Sequence, residues 1–203
     1  MGYLIAMAAG YLLGSSNMAY WISIAKKVDI RTKGTGNLGA SNATVLLGWG
    51  AGVIVAVHDI GKGALAVLMA KWLFPELEYA GAAAGVACVL GHIFPFYLKF
   101  KGGKGLASFI GVMAMLDWRV ALGIVVLLVA VTLITDFIAL GTLSVAVAGP
   151  VGLFLSGHGL IVSLILCVAT VIMFCKHTDN IRRIRNKTEI GLLSTIRGEN
   201  RVK

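Results

Sequence analysis

RVALGIVVLLVAVTLITDFIALGTLSVAVAGPVGLFLSGHGLIVSLILCVATVIMFCK, residues 119–176, decides the fold class. Three apolar runs, 119–134, 137–156 and 159–176, are separated only by Thr135-Asp136 and by Gly157-His158. A membrane-crossing helix needs about 20 apolar residues. Hydrocarbon offers no partner to backbone N–H and C=O groups, so such runs cross as helices, whose backbone bonds are internal. Outward from this stretch, further apolar runs lie at 3–25, 43–74, 79–98 and 105–116, which makes seven candidate spans. The run 105–116 is short, and the run 43–74 is long enough to tilt or bend near His58, Asp59 and Gly61. The expected fold is all-α, a polytopic integral membrane protein with seven transmembrane helices.

Composition agrees. Apolar residues make up 58% of the 203-residue chain, charged residues 13%, and the mean hydropathy is +0.89. A soluble domain has about 45–50% and 25%, so a water-soluble fold is excluded. The 26 glycines fit helices that approach closely inside a membrane. The length suits one domain over 1–203. Met1 to Ser16 lacks the basic leading segment of a secretory signal and reads as a retained first helix. Cys88, Cys167 and Cys175 sit in or at the end of apolar runs and read as small buried residues, with no disulfide or metal spacing.

Basic residues set the orientation, because Lys and Arg collect in cytoplasmic loops. Lys26, Lys27, Arg31 and Lys33 follow the first run, Lys99, Lys101 and Lys104 the third, and eight more lie between Lys176 and Lys203. Together these are 15 of the 18 basic residues. The opposite loops carry Glu76, Glu78 and Asp117, with Lys71 and Arg119 nearby. Seven crossings with the N-terminus outside and the C-terminus cytoplasmic satisfy this split. The net charge of +9 then reflects topology and attraction to anionic lipid rather than nucleic-acid binding.

Four polar clusters go beyond what topology needs. DIRTKGTGNLGASN, residues 29–42, interleaves Gly34, Gly36 and Gly39 with the short donors Asn37, Ser41 and Asn42 ahead of a helix. HDIGKG, 58–63, places Asp59 and Lys62 three residues apart on one helical face inside an apolar run. They pair with each other, or Lys62 lines a polar site, since an intramembrane charge faces a partner or a wet cavity. GHIFPFYLKFKGGKG, 91–105, brings a glycine-rich loop and Lys104 to the start of a helix, a natural phosphate cradle. It lacks the spacing of a Walker loop. Lys176-His177-Thr178-Asp179-Asn180, with the basic run after it, sets His177 and Asn180 on one face. Backbone N–H, amide and ammonium groups recur in all four. They imply a site for a phosphorylated small molecule open to the cytoplasm, and leave an anion channel or transporter as the alternative.

In this order the clusters resemble the bacterial acyl-phosphate-dependent glycerol-3-phosphate acyltransferases, the PlsY family, over nearly the whole chain. GTGNLGASN is similar to the first motif, GHIFPFYLKFKGGKG to the second and HTDNIRRIRNKTE to the third. The resemblance implies transfer of a fatty acyl group from acyl phosphate to the sn-1 hydroxyl of glycerol 3-phosphate, by a multi-pass protein of the bacterial inner membrane. It implies seven helices, no metal or other cofactor, and membrane lipid around the chain. Catalytic roles fall on Lys104, His177 and Asn180, and a structural role on Glu189. Substrate binding falls on Thr35, Gly36, Asn37, Ser41 and Asn42, on Gly102, Gly103 and Gly105, and on Lys62 and Thr142.

The chain departs from the pattern in three places. Thr35 replaces a serine, and Val45 stands where the first motif has arginine. Asp136-Phe137-Ile138-Ala139-Leu140-Gly141-Thr142 stands where the family has Arg-x-x-Ser-Leu-x-Ser, so a positive charge becomes negative. These losses raise a second expectation: a family-like membrane protein that binds, regulates or transports a phosphorylated lipid or metabolite without acyl transfer.

Overall fold

The computed structural model describes residues 1–196. Arg197, Arg201 and Lys203, which entered the orientation argument, and the end of the expected 1–203 domain lie outside them. Every regular element among the described residues is helical. The chain forms two compact units that divide at Leu116 and Asp117.

The first unit contains α1 (Gly2–Ser15), α2 (Met18–Ala25), α3 (Ala40–Leu47), α4 (Trp49–Leu73), α5 (Ala80–Ile93) and α6 (Leu106–Leu116). The run 3–25 is not one helix. It breaks at Asn17, whose side chain accepts from Tyr20 N (2.9 Å) to cap α2 and donates to Leu38 O (3.4 Å). The run 43–74 also breaks, but not at the expected place. α4 passes unbroken through His58, Asp59 and Gly61, and the interruption is Gly48, whose φ of +92° suits glycine. Small residues on both helices let α1 pack against α5: a methyl at Gly10 or Gly14 of α1 would strike the backbone of Ala84 or Cys88, and one at Gly91 of α5 that of Tyr11. Gly63 against Ser108 and Gly111 against Ile60 bring α4 and α6 together in the same way.

The second unit contains α7 (Trp118–Thr135), α8 (Ile138–Leu155), α9 (Gly159–Lys176), α10 (Thr178–Arg185) and α11 (Leu192–Ile196). Asp117 caps α7 through Arg119 N (2.8 Å) and Val120 N (3.3 Å) and pairs with His158 (3.0 Å), which holds its carboxyl below the usual range. α8 packs on both α7 and α9, and Thr170 bridges to Ala146 O (2.5 Å).

Among the described residues five helical segments are long and apolar enough to cross a membrane: Trp49–Leu73, Ala80–Leu98, Trp118–Thr135, Ile138–Leu155 and Gly159–Lys176. α1, with 14 residues, and α6, with 11, are shorter. The long helices leave apolar outer faces uncovered, as at Leu122, Val126, Val129 and Leu133 of α7. The cysteine expectation holds for one residue of three: Cys88 is buried, Cys167 half-buried and Cys175 exposed.

Candidate functional site

Pro95 follows the end of α5, and a 3-10 turn over Phe96–Leu98 redirects the chain toward the glycine-rich loop. Phe96, Tyr97 and Phe100 are exposed, as interfacial aromatics are. The loop does not offer all the amides expected of it. Gly102 N donates to Ile93 O and Gly103 N to His92 O, each at 3.1 Å. Gly105, at φ +94°, turns the chain into α6, and its carbonyl accepts from Phe109 N (2.8 Å). The first-turn N–H groups of α6 have no acceptor within the helix, and Lys104 lies beside them. The groups of this segment suited to an anion are therefore Lys104 and the start of α6, with Gly102 and Gly103 as their frame.

Behind the loop lies an ionic cluster. Lys62 and Asp59 are 3% and 2% exposed, and their Nζ and Oδ1 are 2.8 Å apart. Lys62 Nζ also donates to Ser16 O (2.7 Å) and meets His92 Nδ1 at 2.9 Å. Three acceptors meet the three N–H bonds of the ammonium. Lys62 is thus an internal member of the cluster rather than a group presented to substrate, a correction of its expected role, because pairing offsets the cost of its burial. Asp59 Oδ1 lies 3.4 Å from His92 Nδ1 and 3.3 Å from His58 Nδ1, and His58 Nε2 lies 3.2 Å from Ser16 Oγ. The spacing of Asp59 and Lys62 revealed their pairing. His92 comes from α5 and Ser16 from the turn after α1, and no local signal marked them as partners.

In the first motif Asn42 is the organiser. It is buried, its Oδ1 accepts from Thr35 N (3.0 Å), and its Nδ2 donates to Ile30 O (3.0 Å) and Lys33 O (3.4 Å). Thr35 Oγ1 accepts from Asn37 N (3.4 Å), and Gly36 N donates to Lys33 O (3.0 Å). Both side-chain ends of Asn42 fold the loop, so it shapes the motif. Thr35, Gly36 and Ser41 are exposed and Asn37 is half-buried, which leaves them placed to meet a ligand. Val45 lies on α3 before the Gly48 break and is 70% exposed. Nearby, Arg31 chelates Asp29 through two side-chain bonds of 2.9 Å and holds its carboxyl down at about 2.

In the second unit His177 and Asn180 are both buried at the junction of α9 and α10. His177 Nδ1 donates to Met173 O (2.7 Å), so in the neutral ring Nε2 is the basic nitrogen. Asn180 Nδ2 donates to Glu189 Oε1 (2.5 Å), and Arg183 Nε to Glu189 Oε2 (2.6 Å), which makes Glu189 a clamp on α10. Thr142 is buried and its hydroxyl bonds Ile138 O (2.9 Å). Ala139 is buried one helical turn earlier.

Asp136 is not a bare negative charge. Its carboxylate accepts from Leu193 N (2.5 Å), Ser194 N (3.4 Å) and Ser194 Oγ, and its carbonyl accepts from Leu192 N (2.8 Å). It sits at φ +68°, a region that aspartate tolerates better than most residues, and caps α11. Where the resemblance implies an arginine, this chain has an anchor for its own 192–194 segment.

Sequence and structure comparisons agree with the family resemblance. The family model for glycerol-3-phosphate acyltransferase matches residues 4–187. Glycerol-3-phosphate acyltransferase 1 of Deinococcus radiodurans is 40% identical over 187 residues, spanning 92% of this chain and 93% of the relative. The enzyme of the same name from Oceanobacillus iheyensis is 33% identical over 201 residues, covering 96% and 97%. The crystal structure of PlsY (YgiH), an integral membrane glycerol 3-phosphate acyltransferase, in its glycerol 3-phosphate form superposes with a TM-score of 0.90. It is 31% identical and covers 97% of this chain and 98% of that one. The lysophosphatidic acid form gives 0.86 over 94% and 95%. Motifs, helical architecture and both comparisons converge, and the chain belongs to the glycerol-3-phosphate acyltransferase family.

Proposed function

We propose that this protein transfers a fatty acyl group from acyl phosphate to the sn-1 hydroxyl of glycerol 3-phosphate, releasing lysophosphatidic acid and phosphate. The observation that carries the reading is the GGKG segment, where Lys104 and the first turn of α6 form an anion-binding end framed by Gly102 and Gly103. It lies in a chain whose relatives bear this activity in their names. The hydroxyl oxygen attacks the acyl carbonyl carbon, a new C–O bond forms, and the bond to the phosphate oxygen breaks. Acyl phosphate is a mixed anhydride with a good leaving group. The protein's task is therefore to hold two anions in line and to stabilise developing charge. The departing phosphate takes the hydroxyl proton, or His177 Nε2 does. In this proposal Lys104 holds phosphate, Thr35, Gly36, Asn37, Ser41, Gly105 and Thr142 contact substrate, Asn42 shapes its loop, and Glu189 keeps Asn180 in place.

The same proposal includes seven crossings in the bacterial inner membrane, N-terminus outside and C-terminus cytoplasmic, with 1–203 acting as one acyltransferase domain bearing segments 29–42, 91–105 and 176–189. At 1.5 Å per residue α1 and α6 reach only about 21 and 17 Å, against a core of about 30 Å. α1 continued by α2 supplies the first crossing, and α6 with its preceding loop supplies a shallow fourth. Labelling from outside intact cells tests the orientation: Glu78→Cys reacts and Lys187→Cys does not.

Val45 supports the non-catalytic alternative, since valine cannot replace an arginine at phosphate. Complementation separates the two readings. Expression in a bacterium deprived of its own glycerol-3-phosphate acyltransferase restores growth if the chain transfers acyl groups. A membrane-inserted chain that leaves the strain dead would favour binding or transport.

A further inference from the structure

We propose that His92 is a positioning residue for the glycine-rich loop, its imidazole held by Lys62, which Asp59 pairs, and serving as the wall on which Gly103 rests. The proposal rests on the reading of this loop as part of a glycerol-3-phosphate site. His92 is the next-to-last residue of α5 and is 3% exposed. An ammonium can only donate, so at 2.9 Å from Lys62 Nζ the Nδ1 atom of His92 is an acceptor. The neutral ring therefore carries its proton on Nε2, and that edge faces Gly103. A carbon added at Gly103 would meet ring atoms of His92 and nothing nearer: Nε2 first, then Cε1 at 2.6 Å and Cδ2 at 3.0 Å.

The main chain of the same residue also holds the loop, because His92 O accepts from Gly103 N at 3.1 Å. His92 thus fixes Gly103 twice, by its carbonyl and by its ring, and the ring is in turn fixed by Lys62 of α4, which Asp59 holds in place. Gly103 is followed directly by Lys104 and by the positive-φ turn at Gly105. A displacement of Gly103 therefore moves the ammonium and the first turn of α6 together. Lys62 and Asp59, whose charges look functional in the sequence, act here through His92 and not on the substrate.

Gly103 is outside the left-handed region, so alanine there is opposed by the ring and not by backbone strain. A double-mutant cycle isolates this contact. Hydrogen exchange at the amides of Gly102 and Gly103 needs no turnover and tests the positioning itself. Exchange should rise about tenfold in His92→Ala, matching the loss of roughly one hydrogen bond's worth of restraint. In the active enzyme Gly103→Ala should raise the KM for glycerol 3-phosphate about tenfold beside His92, but less than about twofold beside His92→Ala, a coupling typical of touching residues. The KM for the acyl donor should stay the same in all four proteins. His92→Gln, which keeps an acceptor for Lys62, should recover most of the protection, and it replaces His92→Ala in the cycle if alanine prevents folding. Unchanged exchange in His92→Ala, or equal penalties for Gly103→Ala in both backgrounds, would overturn the proposal. Absence of turnover in the unmodified chain would instead sink the acyltransferase reading, while the exchange result would still decide the role of His92.

Discussion

Asp59 and Asp136 are the same residue in similar apolar surroundings, and the fold satisfies them by opposite means. Asp59 is met by a cation one helical turn away, Lys62 at 2.8 Å. Asp136 is met by amides and a hydroxyl from residues 193 and 194, 57 and 58 positions along the chain. The first arrangement leaves a second charge buried if either partner is lost. The second leaves only neutral donors. That difference governs both their energetics and how far each was visible in the sequence.

The largest effect should come from breaking the ionic pair alone. Asp59→Ala leaves Lys62 buried against His92 and should cost about 3–5 kcal/mol of stability, the usual result of stranding a buried charge. Asp59→Ala with Lys62→Met should recover most of it, because apolar replacement of a whole buried pair is often close to neutral. Thermal unfolding of the purified protein in detergent measures both. A double variant no more stable than Asp59→Ala would mean that the cluster is not a charge pair in its energetics.

Asp136→Ala should be milder and local. Losing a carboxylate that accepts several donors costs about 1.5–3 kcal/mol per charge-assisted bond where the bond is fully formed. The effect should appear as faster hydrogen exchange at Leu193 and Ser194, with the amides of α7 and α8 unchanged. Asp136→Arg restores the charge that the family resemblance implies and should release the same segment. If exchange at 193 and 194 does not change in either variant, the anchor described for Asp136 is wrong.

A third carboxylate sets the lower end of the scale. Asp29 is exposed and held by Arg31. Its folded pKa is depressed from 3.8 to about 2, so its contribution is present above the unfolded value and is lost as pH falls through about 2. Near neutral pH it therefore stays charged, and Asp29→Asn should leave the melting temperature unchanged at pH 7, as exposed pairs usually do. A clear loss of stability would show that the pair holds the loop more firmly than its exposure implies.

These three residues also show what a sequence reveals. The Asp59–Lys62 pair was legible because an i, i+3 spacing on a helix fixes the geometry locally. The anchoring of Asp136 was not, since no local pattern ties it to Ser194. The helical class was written in composition and run length. The breaks at Asn17 and Gly48 were hidden because a single cap or positive-φ glycine interrupts a helix without lowering the hydropathy of the run. The glycine-rich loop running through Lys104 into the start of α6 was legible as a loop-to-helix junction. Gly102 and Gly103 were over-read as donors, since their amides are used by the carbonyls of Ile93 and His92. Cys175 looked buried by its neighbours, yet it lies on the exposed side of α9.

The central claim is acyl transfer from acyl phosphate despite Val45 and Asp136, and one assay tests it most directly. Purified protein is incubated with palmitoyl phosphate and labelled glycerol 3-phosphate, with palmitoyl-CoA in a parallel reaction, and the lipid product is measured. The account predicts lysophosphatidic acid from palmitoyl phosphate, none from palmitoyl-CoA, and loss of product in His177→Ala. A stable, folded protein that makes no lysophosphatidic acid from palmitoyl phosphate would contradict it.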